Sequence, residues 1–441
     1  MEPVPITRLA VLALISLVVA AWTSLAHGQA PPPPGGNSFV VNNVRVFDGE
    51  RAVERANVVV RDGRIASVGH GRPPAGLTVV DGSGRTLLPG LIDAHAHVQS
   101  EAQLRNAARF GATTQLDMFT RVEFAQAQRG RRDSLARTDL ADLWSAGTPV
   151  TSAGGMGTQF GIVFPTISGP AEADAFVRAR LAEGSDYIKI LYEPGVEMVT
   201  TIDAATLAAA VKAAHAQGRL AVVHITSLDG ARAAVEARAD GLVHLFADAV
   251  IDDVLASRMA AQRMFVVPTL WLFAGAEGRT LGPELAADPH ISPLLTEAQR
   301  KGLTRPPPTG EGPVRAYMAR LKLDTALENV RRLRVAGVRM LAGDDAPNFG
   351  GHGVTLHGEM ELLTRGGLTA AEALNAATRA PADAFRIADR GRIAPGARAD
   401  LVLVDGNPLA DIRATRAIVK VFKNGFEVSR APPAPAAGGA R

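Results

Sequence analysis

The 441-residue chain is 47% apolar, 21% charged and carries a formal net charge of only +3. That length and apolar share fit one large domain with a smaller companion, while the near-balanced charge, scattered Lys/Arg and sparse aromatics exclude a nucleic-acid binder. With no cysteine in the sequence, cysteine nucleophiles, Cys-ligated zinc and a lipoprotein anchor are excluded as well, and any transition metal must be held by His, carboxylate or something less usual.

The first segment carries Arg8, an apolar run from Leu9 to Ala21, and small residues up to Gly28 and Ala30. This is the pattern of a secretory signal, too short for a membrane span. Residues 1–30 are therefore expected to be removed, giving an exported protein with no membrane segment in its mature form. Residues 31–38, opening on four prolines, read as a disordered linker, and residues 429–441, rich in Ala, Pro and Gly, as a frayed tail.

From Phe39 to Leu88, alternating apolar residues and Asp62-Gly63 and Asp81-Gly82 turns predict hairpins. The same texture returns in Ala399–Gly406 and Val419–Phe422. Between them, apolar runs alternate with helical patterns such as Asp203 to Gln217, stopped by Gly218. Runs beginning at Leu91, Ala112, Pro149, Tyr187, Leu220, Gly241, Phe265 and Arg339 give eight parallel strands, which predicts an α/β fold of the (β/α)8 TIM-barrel type over 89–387. The flanks, 39–88 and 388–428, are expected to pair into a small β-sandwich. The Pro/Gly-rich stretch from Ala274 to Thr309 reads as an irregular excursion over the barrel mouth.

Several strand ends carry chemistry. Pro89-Gly90-Leu91-Ile92-Asp93-Ala94-His95-Ala96-His97 places two imidazoles two residues apart, hence on one side of a strand. Lys189 lies inside the apolar run Tyr187–Leu191 in a chain where six of the 47 basic residues are lysine. Burial lowers a lysine's pKa, and a neutral amine can take up carbon dioxide as a carbamate whose two oxygens bridge cations. The same lysine could instead carry its ammonium out to water at the strand end. His224 closes Leu220–His224, His244 stands in Gly241–Phe246, and Asp345 lies in Leu341-Ala342-Gly343-Asp344-Asp345-Ala346-Pro347. All six candidates fall at C-terminal strand ends, the face on which barrel active sites form.

These motifs, with Ala376–Ala382 and Gly391–Val402, resemble the amidohydrolase superfamily over roughly Phe39 to Phe426, closest to its imidazolonepropionase-like and prolidase-like members. The resemblance implies two divalent metal ions, usually zinc: His95, His97 and Asp345 on one, His224 and His244 on the other, with carboxylated Lys189 and a hydroxide between them. Asp345 would carry the catalytic proton. Where the family usually has Thr this chain has Asp344, so two adjacent aspartates compete for the ligand role, and alignment on Ala342-Gly343 favours Asp345.

Tyr192, His352 and His357 are candidate substrate contacts, His215, His70 and His290 read as surface residues, and Gly154-Gly155-Met156-Gly157 as a close-approach loop at the site. The expected activity is hydrolysis of small amide substrates, dipeptides or N-acyl amino acids first, with esters, lactones and carbamates open on the same site. A mononuclear deaminase is the first alternative, although no Glu follows His224 at the spacing that chemistry uses. A non-catalytic binding protein is the second. Substrate identity and oligomeric state, a homo-oligomer included, are not legible.

Overall fold

Valine-rich alternation builds the first half of a sheet from β1 (Phe39–Phe47), β2 (Ala52–Arg61), β3 (Arg64–Gly69), β4 (Thr78–Asp81) and β5 (Arg85–Pro89). The computed structural model describes residues 36–432 except 161, 197, 280, 308 and 310, so the expected signal, most of the linker and the final residues of the tail lie outside the described residues. Eight short strands follow: β6 (Leu91–Ala96), β7 (Ala112–Asp117), β8 (Asp142–Ser145), β9 (Ile188–Leu191), β10 (Ala221–His224), β11 (Gly241–Val243), β12 (Phe265–Val267) and β13 (Arg339–Met340). The chain then returns to the sheet through β14 (Leu401–Asp405), β15 (Ile418–Lys423) and β16 (Phe426–Glu427).

All of β6 to β13 pair in parallel, and backbone hydrogen bonds close them into a barrel. On one side Val150 N–H donates to Lys189 O at 2.8 Å and receives Leu191 N–H on its own carbonyl at 2.9 Å. On the other, Ala94 N–H donates to Ala342 O, Asp345 N–H to His95 O and His97 N–H to Ala346 O, each at 2.8 Å. Ile92, Leu116, Val222, Phe265 and Leu341 fill the interior and pack on Phe385, beside the short helix Arg379–Ala384. A larger apolar layer lies between strands and helices.

The third barrel strand is β8 at Asp142, not the run beginning at Pro149. Asp142-Leu143-Trp144-Ser145 does not look apolar, but its charge is neutralised from far along the chain. Asp142 Oδ2 accepts from Arg390 and Lys423, both at 2.7 Å, and Lys423 donates to Asp400 at 2.8 Å. Trp144 lies between the Arg132 and Arg390 guanidinium groups, 4.6 and 4.7 Å from its ring. The Pro149 segment instead supplies the Val150 bridge to β9.

The two flanks form one eight-stranded sheet ordered β16-β15-β14-β5-β1-β2-β3, with β4 also on β1. Phe39 of β1 and Phe422 of β15 stack at 4.4 Å although three strand spacings of about 4.8 Å separate them along the sheet, so the sheet curls over its own apolar face. The stretch from Ala274 to Thr309 is largely helical rather than irregular: Leu281–Ala287 and Glu297–Leu303 are helices, the second started by a Thr296/Gln299 capping box. No helix among the described residues is long and apolar enough to cross a membrane.

Candidate metal centre

The strands bring His95, His97, Lys189, His224, His244 and Asp345 to one end of the barrel. Asp345 Oδ1 lies 3.3 Å from His95 Nε2 and 3.1 Å from His97 Nε2. The His95 and His224 rings each lie 4.6 Å from the His244 ring. His95, His244 and Asp345 offer ligand atoms within 4.8 Å of one another, and all three residues are buried.

Asp345 reaches this position through a left-handed backbone (φ +59°) just beyond β13, and Asn348 donates to its outer oxygen at 3.0 Å. Asp344 points elsewhere: it accepts from Ala346 N–H at 2.9 Å and from the Thr355 hydroxyl at 2.6 Å. It also receives a hydrogen bond from Asp93, whose carboxyl burial and the Asp344 charge push up so that it holds its proton. The two aspartates are thus divided between an inward carboxylate and a buried brace for the turn.

Buried polar atoms without hydrogen-bond partners mark what the site lacks. Both His95 ring nitrogens, His224 Nε2, Asp345 Oδ1 and Glu193 Oε1 are in that condition. Burial holds the pKa values of His95, His224 and His244 well below the ordinary imidazole value, which leaves lone pairs free for a cation. For His97 burial works the same way, but the adjacent Asp345 carboxylate outweighs it and raises the value. For Asp345 burial raises the carboxyl, and the His97 ring beside it, with His244 and Lys189, brings it down to about 2. The His244 Nδ1 contact with Thr269 Oγ1 at 2.6 Å fixes that ring and aims its other nitrogen into the site. Orphaned imidazoles facing an ionised carboxylate fit a divalent cation.

Two lysines are buried in this fold, and they differ. Lys423 is fully covered and bonded to two carboxylates. Lys189 is 2% exposed, forms no ion pair among the described residues, and burial takes its pKa down to about 7. An unpaired amine of which about half is neutral at pH 7 is what carbamate formation requires.

Glu193 joins the site without having been anticipated. It follows Lys189 by four residues, on the same side of the extended chain. Its Oε1 lies 3.1 Å from His224 Nε2 and its Oε2 accepts from Thr226 at 2.8 Å. Burial raises its pKa to about 7. Half-buried Tyr317, from helix Pro313–Met318, hydrogen-bonds with Thr226 and feels the charges of Glu193 and Asp345. Asp117, at the end of β7, accepts from Val98 N–H at 2.8 Å and the Ser145 hydroxyl at 2.5 Å, bracing the loop after His97, and burial lifts its pKa to about 6.

The three expected substrate contacts lie elsewhere. Tyr192 alternates outward from Lys189 and Glu193 and packs in the layer between strands and helices, toward Asp203 and Asp229. His357 is held at both nitrogens, by Thr415 Oγ1 at 3.0 Å and Phe110 O at 2.9 Å. His352 sits behind His97, its Nε2 3.0 Å from the His97 carbonyl. The Gly154–Gly157 loop pairs with Thr200 through Gly155.

Comparison with known proteins follows the same lines. A 50% identity over 64 residues joins the chain to an adenine deaminase of Dehalococcoides mccartyi (strain CBDB1), covering 14% of this chain and 10% of that protein. The chain spans about a tenth to a third of the curated relatives it matches. Among solved structures, a putative prolidase from Bifidobacterium longum superposes with a TM-score of 0.72 at 24% identity, over 90% of this chain and 95% of that one. A Xaa-Pro dipeptidase with bound methionine gives 0.71 at 22% identity, over 88% and 99%. Residues 86–428, spanning the barrel and the returning half of the sheet, match the family model itself, and the chain belongs to the amidohydrolase family.

Proposed function

We propose that the chain is a metal-dependent hydrolase of carbon–nitrogen bonds in small amide substrates, dipeptides or N-acyl amino acids foremost. The observation that carries this reading is the set of buried, partnerless ligand atoms on His95, His224, Asp345 and Glu193 around an unpaired Lys189. His95, His97 and Asp345 would hold one divalent cation and His224 and His244 a second, with Lys189 as a carbamate between them, zinc being the favoured metal. Such a pair supplies Lewis acidity at the scissile carbonyl and at water.

The side chains do the rest. Asp345, held at about 2, is ionised at neutral pH and stands where it can take a proton from the attacking water and return it to the departing nitrogen. Glu193, held near 7, can donate or accept a hydrogen bond to the substrate beside His224. Tyr317 and Thr226 wall the same side.

A second reading, deamination, gains from Glu193: a carboxyl 3.1 Å from His224 Nε2 supplies, from just beyond β9, the acid that is absent after His224 in sequence. Metal content by plasma mass spectrometry, run beside Lys189→Ala and His95→Ala, tests the centre. About two zinc equivalents, reduced in both variants, are expected, and dipeptide or N-acyl amino acid turnover should follow metal content. One equivalent, unchanged in Lys189→Ala, with activity on aminopurines alone, would replace the amidase reading by the deaminase one.

A further inference from the structure

At the other end of the barrel lies a cavity of about 310 Å³. Its wall carries Arg238, Arg263, Arg339 and Arg386, with Leu220 and Phe265 beneath them. Arg339 opens β13 and Phe265 opens β12, so the cavity sits at the N-terminal strand ends, away from the metal centre. Arg386 donates to the Gly218 carbonyl at 3.1 Å. Among the described residues the other three guanidinium groups have no hydrogen-bond or ion-pair partner.

The two acids on the wall are already engaged. Asp240 bonds with His215 at 2.8 Å and accepts from Ala221 N–H at 2.7 Å. Asp383 is taken by Arg379 and Arg392. Gln262 adds a buried amide oxygen without a partner.

Backbone conformation supplies an independent sign. Helices Leu228–Glu236, Asp253–Ala261 and Arg379–Ala384 each end, two residues on, in an arginine in the left-handed region: Arg238 at φ +62°, Arg263 at +58° and Arg386 at +59°. Glycine is the ordinary residue there, because a Cβ is unfavourable in that conformation. The neighbouring helices Ala204–Ala216 and Leu323–Val335 use it, ending on Gly218 and Gly337 at φ +67° and +85°. Three helices thus forgo the easier residue, and all three arginines line the one cavity.

From this geometry we infer that the N-terminal mouth of the barrel is a binding site for a small organic phosphate. Forked guanidinium donors suit phosphate oxygens, the unpartnered Gln262 amide suits a ligand hydroxyl, and the apolar floor suits a carbon skeleton. The cavity volume is at the small end of ligand pockets.

The test is calorimetric titration of inorganic phosphate into the metal-loaded protein at low ionic strength, comparing wild type, Arg238→Gly/Arg263→Gly and Arg339→Ala. Wild type should bind one phosphate, and each variant should bind it about tenfold more weakly or worse. The double glycine variant should melt at the same or a higher temperature, since glycine accepts the backbone at both positions. Absence of saturable binding overturns the inference. So does binding that survives in the double variant, which would put phosphate at the metal centre, or binding unaffected by Arg339→Ala.

Discussion

Replacing Lys189 by methionine should stabilise the metal-free protein while abolishing its function. The ordinary lysine value is 10.5 and burial brings Lys189 to about 7, so between those values the unfolded chain keeps a proton that the folded chain sheds. The ammonium therefore costs the fold on the order of 4 kcal/mol at pH 7 and below, and this cost fades as pH rises toward 10.5. Methionine has a similar length and no charge, so the variant escapes it. With an unfolding entropy of ~2.1 cal/mol/K per residue over about 400 ordered residues, the gain corresponds to about 4–5 °C.

Scanning calorimetry of metal-free, carbon-dioxide-depleted protein would measure it. Lys189→Met should melt about 4–5 °C above wild type at pH 6.5 and within about 2 °C of it at pH 9.5. The same variant should fail to load its metals. If it melts at or below wild type at pH 6.5, the ammonium is solvated or paired in the folded chain, and no neutral amine stands ready for carbon dioxide.

Two further outcomes are expected. A Cβ on Gly343 would lie 2.5 Å from the His95 backbone nitrogen and 2.6 Å from Val267 Cγ1. Gly343→Ala should therefore push the segment after β13 away from β6, costing about 2–3 kcal/mol in urea denaturation and about tenfold or more in zinc affinity by competition with a chelating dye. His357, lowered by burial from 6.5 to about 4, must stay neutral in the fold. Its stabilisation is complete above pH 6.5 and is lost as pH falls toward 4, by up to about 3 kcal/mol. His357→Gln should then be the less stable protein at pH 7 and lose its disadvantage by pH 4.5, and parallel stability profiles of the two would contradict this.

The candidate ligands at strand ends were legible because each sits at the close of an apolar run, and parallel strands of a closed barrel bring such ends together. Other features depended on partners that lie far away in the chain. Asp142–Ser145 looks too polar for a core strand until Arg390 and Lys423, more than 240 residues later, neutralise Asp142. Glu193 stands before Pro194-Gly195 and reads as the start of a turn, yet strand parity from Lys189 carries it into the site. Tyr192, one residue earlier, points outward by the same parity. Tyr317 arrives on a six-residue helix after a proline-rich stretch, where local sequence gives no hint of what it faces. His352 and His357 look like site residues in isolation, but the carbonyls of His97 and Phe110 engage them first.

The hydrogen bonds between β6 and the segment after β13 tie the closure of the ring to the candidate metal centre. His95 and Asp345 meet across that seam, 250 positions apart in the chain, and the Asp345 N–H bond to the His95 carbonyl is itself one of its stitches. A cation shared by His95 and Asp345 would need both edges of that seam in place, whereas His224 and His244 stand on neighbouring strands that pair without it. Such a cation would clamp the two edges together. Metal held there would report that the ring is shut, and its loss would loosen first the line where β6 meets the segment after β13.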